Sequence, residues 1–137
     1  MPAPKLNGLA HLVIRVRDLD RSIAFYRDVF DCEILYEVLW RSGRIPIVSM
    51  RVGANVINVH AAASPASPHA HRPTPGSGDI CFRWEGPLQS AIDLLTKHDV
   101  PIVEGPVPRP AADGKVGRSV YFRDPDDNLM ELLSTDE

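Results

Sequence analysis

The sequence predicts an α+β fold built from two tandem modules, each with one strand, one helix and three further strands. The order of strand-like and helix-like segments occurs twice, and apolar side chains of the matching segments fall at equivalent positions. A segment rich in proline, serine and glycine separates the halves. We expect one domain over 1–137, with module one at about 7–62, a connector at about 63–77 and module two at about 78–135.

Module one opens with residues 9–16, whose alternating and β-branched side chains predict a strand. His11 and Arg15 share one face of it because strand side chains alternate between two faces. A helix is predicted to start at Asp18 or Asp20, either of which is suited to cap it, because apolar side chains then recur at helical spacing. Three shorter strands follow at about 33–39, 45–52 and 55–60.

Module two repeats this order. Residues 79–84 predict its first strand, and residues 86–100 predict a helix with Pro87 at its first position, where proline is well tolerated. Shorter strands are expected at about 101–104, 117–123 and 128–133. Residues 105–117 are predicted to form a long irregular loop, either a binding loop or a plain surface loop.

The composition is that of an ordinary globular protein. Of the 137 residues, 44% are hydrophobic and 24% charged, and the net charge of −3 gives no basic surface for nucleic acid. The sequence has no apolar run of membrane-spanning length, no secretory signal, and too few cysteines for a disulfide framework. We therefore expect a cytoplasmic protein without a nucleic-acid or membrane partner.

Four polar residues on predicted strands predict a metal site. His11 and Asp79 begin the first strand of each module, whereas His60 and Glu131 lie in the last strand of each. Glu131 is surrounded in sequence by leucine and methionine, where an ionised carboxylate is costly unless it is paired or metal-bound. Two imidazoles and two carboxylates suit a divalent cation, without distinguishing zinc, nickel, cobalt, iron and manganese. Taken singly, each residue also fits a structural role at a strand end or a turn.

Two segments resemble the vicinal oxygen chelate superfamily. Residues 11–30, HLVIRVRDLDRSIAFYRDVF, are similar to its opening strand and helix, and residues 122–134, FRDPDDNLMELLS, are similar to its closing hairpin. Segments between them resemble more closely the glyoxalase domain-containing protein 5 group, which is named by fold. In the closing turn Asp127 stands where the superfamily usually has glycine, and aspartate tolerates the left-handed conformation better than most residues.

The resemblance implies that the modules form a cupped mixed sheet around a central divalent metal ion, commonly in a homodimer. Bacterial glyoxalase I has ligands at the four positions of His11, His60, Asp79 and Glu131, but His60 replaces a glutamate of that family and Asp79 replaces a histidine. Extradiol dioxygenases and fosfomycin-resistance enzymes have a histidine at the position of Asp79 as well. These departures alter the ligand set while keeping two imidazoles and two carboxylates.

The function predicted first is a metal-dependent, glyoxalase-like lyase or isomerase that acts on a small substrate with vicinal oxygens through an enediolate-type intermediate. The alternatives are a non-catalytic binding protein of the bleomycin-binding type and an extradiol-type dioxygenase. Glu131 is the first candidate general base and His60 the second, although Glu131 also fits the role of a fixed ligand. The substrate, and whether a thiol takes part, stay open.

Other side chains are secondary candidates. Arg109, Lys115 and Arg118 are placed to contact an anionic substrate, or else are solvated surface charges. His71, in the connector, is close enough in sequence to Asp79 to reach the site, although exposure is the expected state. Cys81 shares a strand face with Asp79 and is expected to be a buried, unreactive thiol.

Overall fold

The computed structural model describes residues 5–63 and 66–136. Module one comprises β1 (His11–Val16), α1 (Leu19–Phe30), β2 (Glu33–Leu35), α2 (Glu37–Arg41), β3 (Ile47–Val52) and β4 (Asn55–Ala61). Module two comprises β5 (Asp79–Arg83), α3 (Leu88–Lys97), β6 (Glu104–Pro110), β7 (Val116–Arg123) and β8 (Leu129–Ser134). The helix α1 starts after Asp18, whose carboxylate accepts the Arg21 backbone N–H at 3.2 Å, so Asp18 rather than Asp20 is the cap.

Each module forms one four-stranded sheet, and the two sheets have the same topology. Sheet one has the order β1–β4–β3–β2, and sheet two has the order β5–β8–β7–β6. In each sheet the first strand pairs in parallel with the last, and the remaining neighbours are antiparallel. The predicted α+β class with two strand–helix–three-strand units is confirmed.

A single apolar core joins the two modules. Ile14 on β1 and Phe122 on β7 belong to the same buried cluster, and α1 lies between the sheets. The ring of Phe122 stands 6.3 Å from that of Phe25 and 5.4 Å from that of Phe30, both on α1. Because strand side chains alternate, the opposite face of each sheet points away from this shared core. The polar residues of each sheet therefore lie on the face opposite the core.

A buried polar cluster fixes module two against α1. Asp126 is completely buried and accepts hydrogen bonds from the Arg17 backbone N–H at 2.9 Å and from the Ser22 hydroxyl at 3.4 Å. Asp124 accepts a 2.6 Å hydrogen bond from the hydroxyl of Tyr26. The adjacent Asp127 adopts a φ of 67°, which is the left-handed conformation expected where the superfamily usually has glycine.

Two local predictions were wrong. The strand expected over 33–39 ends at Leu35, and α2 follows it, because the backbone of Tyr36 is left-handed. The Glu37 carboxylate then accepts hydrogen bonds from Arg27 of α1 and from Arg41 of α2. The loop expected over 105–117 is mostly strand, because β6 is an edge strand on which alternate prolines turn their missing N–H away from β7. No helix in the described part of the chain is both long and apolar enough to cross a membrane.

Candidate functional site

The outward face of sheet one is cationic. Its two central strands are parallel, with His11 opposite Val56, Val13 opposite Asn58 and Arg15 opposite His60. His11 is exposed at one end of this face. His60 lies four residues beyond Val56, the partner of His11, and therefore stands beside the Arg15 guanidinium and not beside the other imidazole.

The outward face of sheet two carries the carboxylates. In its central parallel pair Asp79 stands opposite Leu129, and Cys81 stands opposite Glu131. Glu131 is half-buried and accepts a 2.5 Å hydrogen bond from the Ser119 hydroxyl on β7. Asp79 and Glu131 lie on the same face of neighbouring strands, two residues apart in the register.

The strand register corrects the predicted equivalence of His60 and Glu131. Glu131 pairs with Cys81, the third residue of β5. In sheet one the third residue of β1 is Val13, and it pairs with Asn58. His60 corresponds instead to Leu133, opposite Arg83. The amide oxygen of Asn58 accepts a 2.7 Å hydrogen bond from the Ser49 hydroxyl. Sequence matching missed Asn58 because Asn58 and His60 point to the same face of β4, and only the histidine is a typical metal ligand.

The four predicted ligands do not converge within one chain. Between residues 5 and 63 and between 66 and 136, no group of three or more histidine, cysteine, aspartate or glutamate side chains is arranged to hold a metal ion. His11 and His60 lie on sheet one, whereas Asp79 and Glu131 lie on sheet two, and both faces point away from the shared core. The described residues of one chain therefore do not by themselves bring the four predicted ligands together.

His60 stands beside a buried cation. Arg15 is only 7% exposed, and its Nε and the Nδ1 of His60 are buried without a hydrogen-bond partner in the described residues. Burial lowers the pKa of His60, and the positive charges of Arg15 and His11 lower it further. An imidazole beside a fixed guanidinium is a poor ligand for a divalent cation, because the positive guanidinium repels the metal ion.

The outward face of sheet two holds an unreactive thiol. Partial burial and the nearby Glu131 carboxylate raise the pKa of Cys81 to about 11. The expected lack of reactivity is supported, although Cys81 is exposed and not buried. A raised pKa lowers the share of thiolate, the nucleophilic form, at neutral pH.

The predicted substrate-binding cations occupy three different environments. Arg109 lies on β6 and donates to the Tyr121 hydroxyl at 2.8 Å. Tyr121 in turn pairs with Glu131 in the strand register. Lys115 lies in the turn before β7, and Arg118 is exposed on β7. Of the connector histidines, His71 is exposed, and it is His69 that borders the cavity next to Arg15 and His60.

Comparison with known proteins gives one family. Residues 8–132 match the model of the Glyoxalase/Bleomycin resistance protein/Dioxygenase superfamily. Virulence protein STM3117 of Salmonella typhimurium is 36% identical over 93% of this chain and 83% of its own. The crystal structure of STM3117 superposes with a TM-score of 0.84, covering 95% of this chain and 98% of that one.

A second relative is glyoxalase domain-containing protein RDO1 of Mycosarcoma maydis, 37% identical over 94% of this chain and 69% of its own. More distant solved structures share the fold alone. A lactoylglutathione lyase from Agrobacterium tumefaciens is 22% identical with a TM-score of 0.68, covering 95% of both chains. The fosfomycin resistance protein FosX from Listeria monocytogenes, complexed with manganese(II) and a dihydroxypropylphosphonic acid, is 21% identical with a TM-score of 0.63, covering 94% of this chain and 90% of that one.

Proposed function

Because the chain belongs to the Glyoxalase/Bleomycin resistance protein/Dioxygenase superfamily, we propose that it is a metal-dependent lyase or isomerase acting on a small substrate with vicinal oxygens. The observation that carries the proposal is the setting of Glu131. This carboxylate is half-buried on a central strand, is held by the Ser119 hydroxyl, and shares its outward face with Asp79. A fixed carboxylate beside a second one on a rigid sheet suits both metal binding and proton transfer.

The proposed ligands are His11, Asp79 and Glu131. Catalytic metal sites commonly use three protein ligands and leave a position open for substrate, and one imidazole with two carboxylates meets that pattern. His60 is left out of the set because the Arg15 guanidinium stands beside it. Asn58 is left out because its side chain is a neutral amide, whereas Glu131, at the same level of the register in sheet two, is a carboxylate.

Two copies of the chain are needed to assemble this set. We propose a homodimer in which the outward face of sheet one from one copy meets the outward face of sheet two from the other. The strands β1 and β5 are each at the edge of their sheet, so neither is covered by a strand of its own sheet on that side. Such a pairing would bring His11 of one copy to Asp79 and Glu131 of the other, and a two-fold axis would repeat it to give two identical sites.

The reaction follows from the positions of the side chains. A bound divalent ion would polarise the two substrate oxygens and reduce the cost of negative charge on them. Glu131 would accept a proton from the carbon next to the polarised oxygen, while the hydrogen bond from Ser119 holds the carboxylate in one orientation. Arg109, held by the Tyr121 hydroxyl on the same sheet, would attract an anionic substrate.

A second candidate function is binding without turnover. It is favoured by the absence of a three-ligand group in the described part of one chain and by the exposure of His11. This reading requires no metal, so metal uptake separates the two candidates.

The test is cobalt(II) binding to chelator-treated protein, followed by turnover of 2-oxoaldehyde–thiol adducts. We expect one ion per chain, a dimer in solution, and at least a tenfold weaker affinity in Glu131→Gln. Glu85→Gln, at an exposed residue before α3, is the matched control and should bind as the wild type does. Unchanged affinity in Glu131→Gln, or no metal uptake by the wild type, would contradict the proposal.

A further inference from the structure

We propose that each chain also binds a small neutral aromatic molecule in a cavity at the seam between its two modules. The seam is the place where the end of α1 and the turn between β3 and β4 meet β5 of module two. This site lies on the core side of the sheets, is built from one chain and requires no metal ion, so it goes beyond the function proposed above.

The first observation is a cavity that both modules line. Its volume is about 280 Å³. Module one contributes Tyr26 and Phe30 at the end of α1, and module two contributes Phe82 and Trp84 at the end of β5. Apolar cavities of about 150 Å³ are already large enough for a benzene-sized molecule, so this cavity has room for one or two rings.

The second observation is the chemistry of the walls. Tyr26 is buried, whereas Phe30, Phe82 and Trp84 are only partly buried although they pack against the core. Protein interiors are close-packed, so aromatic side chains that keep exposed area beside a cavity offer contact surface to a ligand. Aromatic rings favour offset-stacked or edge-to-face contacts with other rings, which selects an aromatic ligand over a saturated ligand of the same size.

The third observation is that two of the walls are fixed in position. The Trp84 indole N–H donates to the Ser90 hydroxyl at 2.9 Å, and the Trp84 backbone N–H donates to the Leu133 carbonyl at 2.8 Å. The hydroxyl of Tyr26 donates to the Asp124 carboxylate at 2.6 Å. Because the polar tips of both side chains already have partners, their rings offer apolar surface to a ligand, and little side-chain freedom is lost when the ligand binds.

The charges at the border of the cavity favour a neutral ligand. Arg51 and Arg83 both border it, but each guanidinium is already 3.3 Å from a carboxylate, that of Glu33 and that of Asp113 respectively. Asp31 also borders the cavity and would repel an anion. An ionised ligand would lose hydration here without gaining an uncompensated counter-charge, so we expect a neutral one.

The test uses phenol on the full chain, with cyclohexanol as its saturated counterpart and benzoate as a charged one. Phenol is neutral at pH 7 because its pKa, like that of tyrosine, is about 10. The chain has two tryptophans, so Trp40→Phe leaves Trp84 as the only indole, and its N–H resonance in NMR spectra follows binding. We expect a saturable shift with phenol and a higher thermal midpoint with the bound probe. Cyclohexanol and benzoate should each bind several-fold more weakly.

A variant that fills the cavity tests the location of the site. In the Trp40→Phe background, Val52→Phe should weaken phenol binding at least about tenfold, because Val52 borders the cavity and the larger ring occupies it. Val38→Phe, the same change at an exposed residue of α2, is the matched control and should bind phenol as the unaltered background does. If Val52→Phe does not fold, Cys32→Leu, also on the border, supplies the test, with a several-fold loss expected.

The absence of a saturable shift with phenol would overturn the proposal, as would unchanged phenol affinity in the folded cavity-filling variant. Binding of cyclohexanol or benzoate as tight as that of phenol would overturn the assignment of a neutral aromatic ligand. None of these results depends on metal binding at Glu131, so the proposed function is tested separately.

Discussion

The outward faces of the two sheets have the same strand order and register but different side chains. At matching levels of the register, sheet one places Asn58 where sheet two places Glu131, and it places Arg15 where sheet two places Arg83, which is paired with Asp113. At these two levels sheet one offers a neutral amide and a buried guanidinium, whereas sheet two offers a carboxylate and an ion-paired guanidinium. The repeated unit preserves strand order and register, whereas the side chains that point away from the core have diverged into two complementary half-sites.

The largest expected effect comes from breaking the contact that joins α1 to module two. Asp126→Ala removes the acceptor for the Arg17 backbone N–H and the Ser22 hydroxyl, both at the junction of α1 and module two. We expect a loss of about 3 kcal/mol in the free energy of unfolding, measured with urea. An Asp28→Ala control, at an exposed residue of α1, should change it by less than about 0.5 kcal/mol. A loss in Asp126→Ala no larger than that of the control would show that the junction does not depend on this cluster.

The next largest effect concerns the Glu131 carboxylate on sheet two and its influence on Cys81. Glu131→Gln should lower the pKa of Cys81, because the carboxylate charge is a main contributor, after burial, to its elevation. In a Cys32→Ala background, alkylation by iodoacetamide at pH 8 should be about 3- to 10-fold faster, since the thiolate is the reacting form. The same background with Glu85→Gln should react at the unaltered rate. Equal alkylation rates in the two variants would contradict the placement of Glu131 and Cys81 side by side on one face.

A smaller effect concerns His60 on sheet one and the pH dependence of stability. The folded state lowers the pKa of His60 below its ordinary value, so between that value, near 6.5, and the lower folded one the unfolded chain binds more protons. The contribution of His60 should therefore make the protein less stable as the pH falls from about 7 towards 5. His60→Gln should reduce this slope in urea unfolding measured at several pH values. An unchanged or steeper slope in the variant would contradict the description of His60 beside Arg15.

The smallest effect concerns the turn that closes module two. Asp127 has a φ of 67°, a conformation that glycine adopts without the penalty of a Cβ atom. Asp127→Gly should change the free energy of unfolding by at most about 1 kcal/mol, in the stabilising direction. Thermal unfolding measures this change, and a clear destabilisation would show that the side chain has a role beyond the turn.

The sequence predicted the fold well because its signals are local. Alternation in 9–16 and 79–84, helical spacing after Asp18 and the motif around Asp127 each act within a few residues. The strand β6 was missed because prolines read as loop residues, although proline at every second position is compatible with an edge strand.

The site was predicted less well because it depends on register and on burial. The pairing of His60 with Arg15 is set by the parallel ladder between β1 and β4, which sequence spacing does not determine. Arg15 also lies on a predicted outward face where exposure is the ordinary expectation, yet it is buried beside a cavity that the connector also borders.

The central claim is that two half-sites from different copies of the chain form one metal site, and mixed dimers test it most directly. His11→Ala and Glu131→Gln would be differently tagged, unfolded together, refolded and isolated as the mixed species, whose cobalt(II) content is then measured. If the site is shared between copies, the mixed dimer contains one intact site and one doubly altered site, so we expect one ion per mixed dimer and none in either parent. If the mixed dimer binds no more cobalt(II) than its parents, the two faces do not meet across copies and the account is wrong.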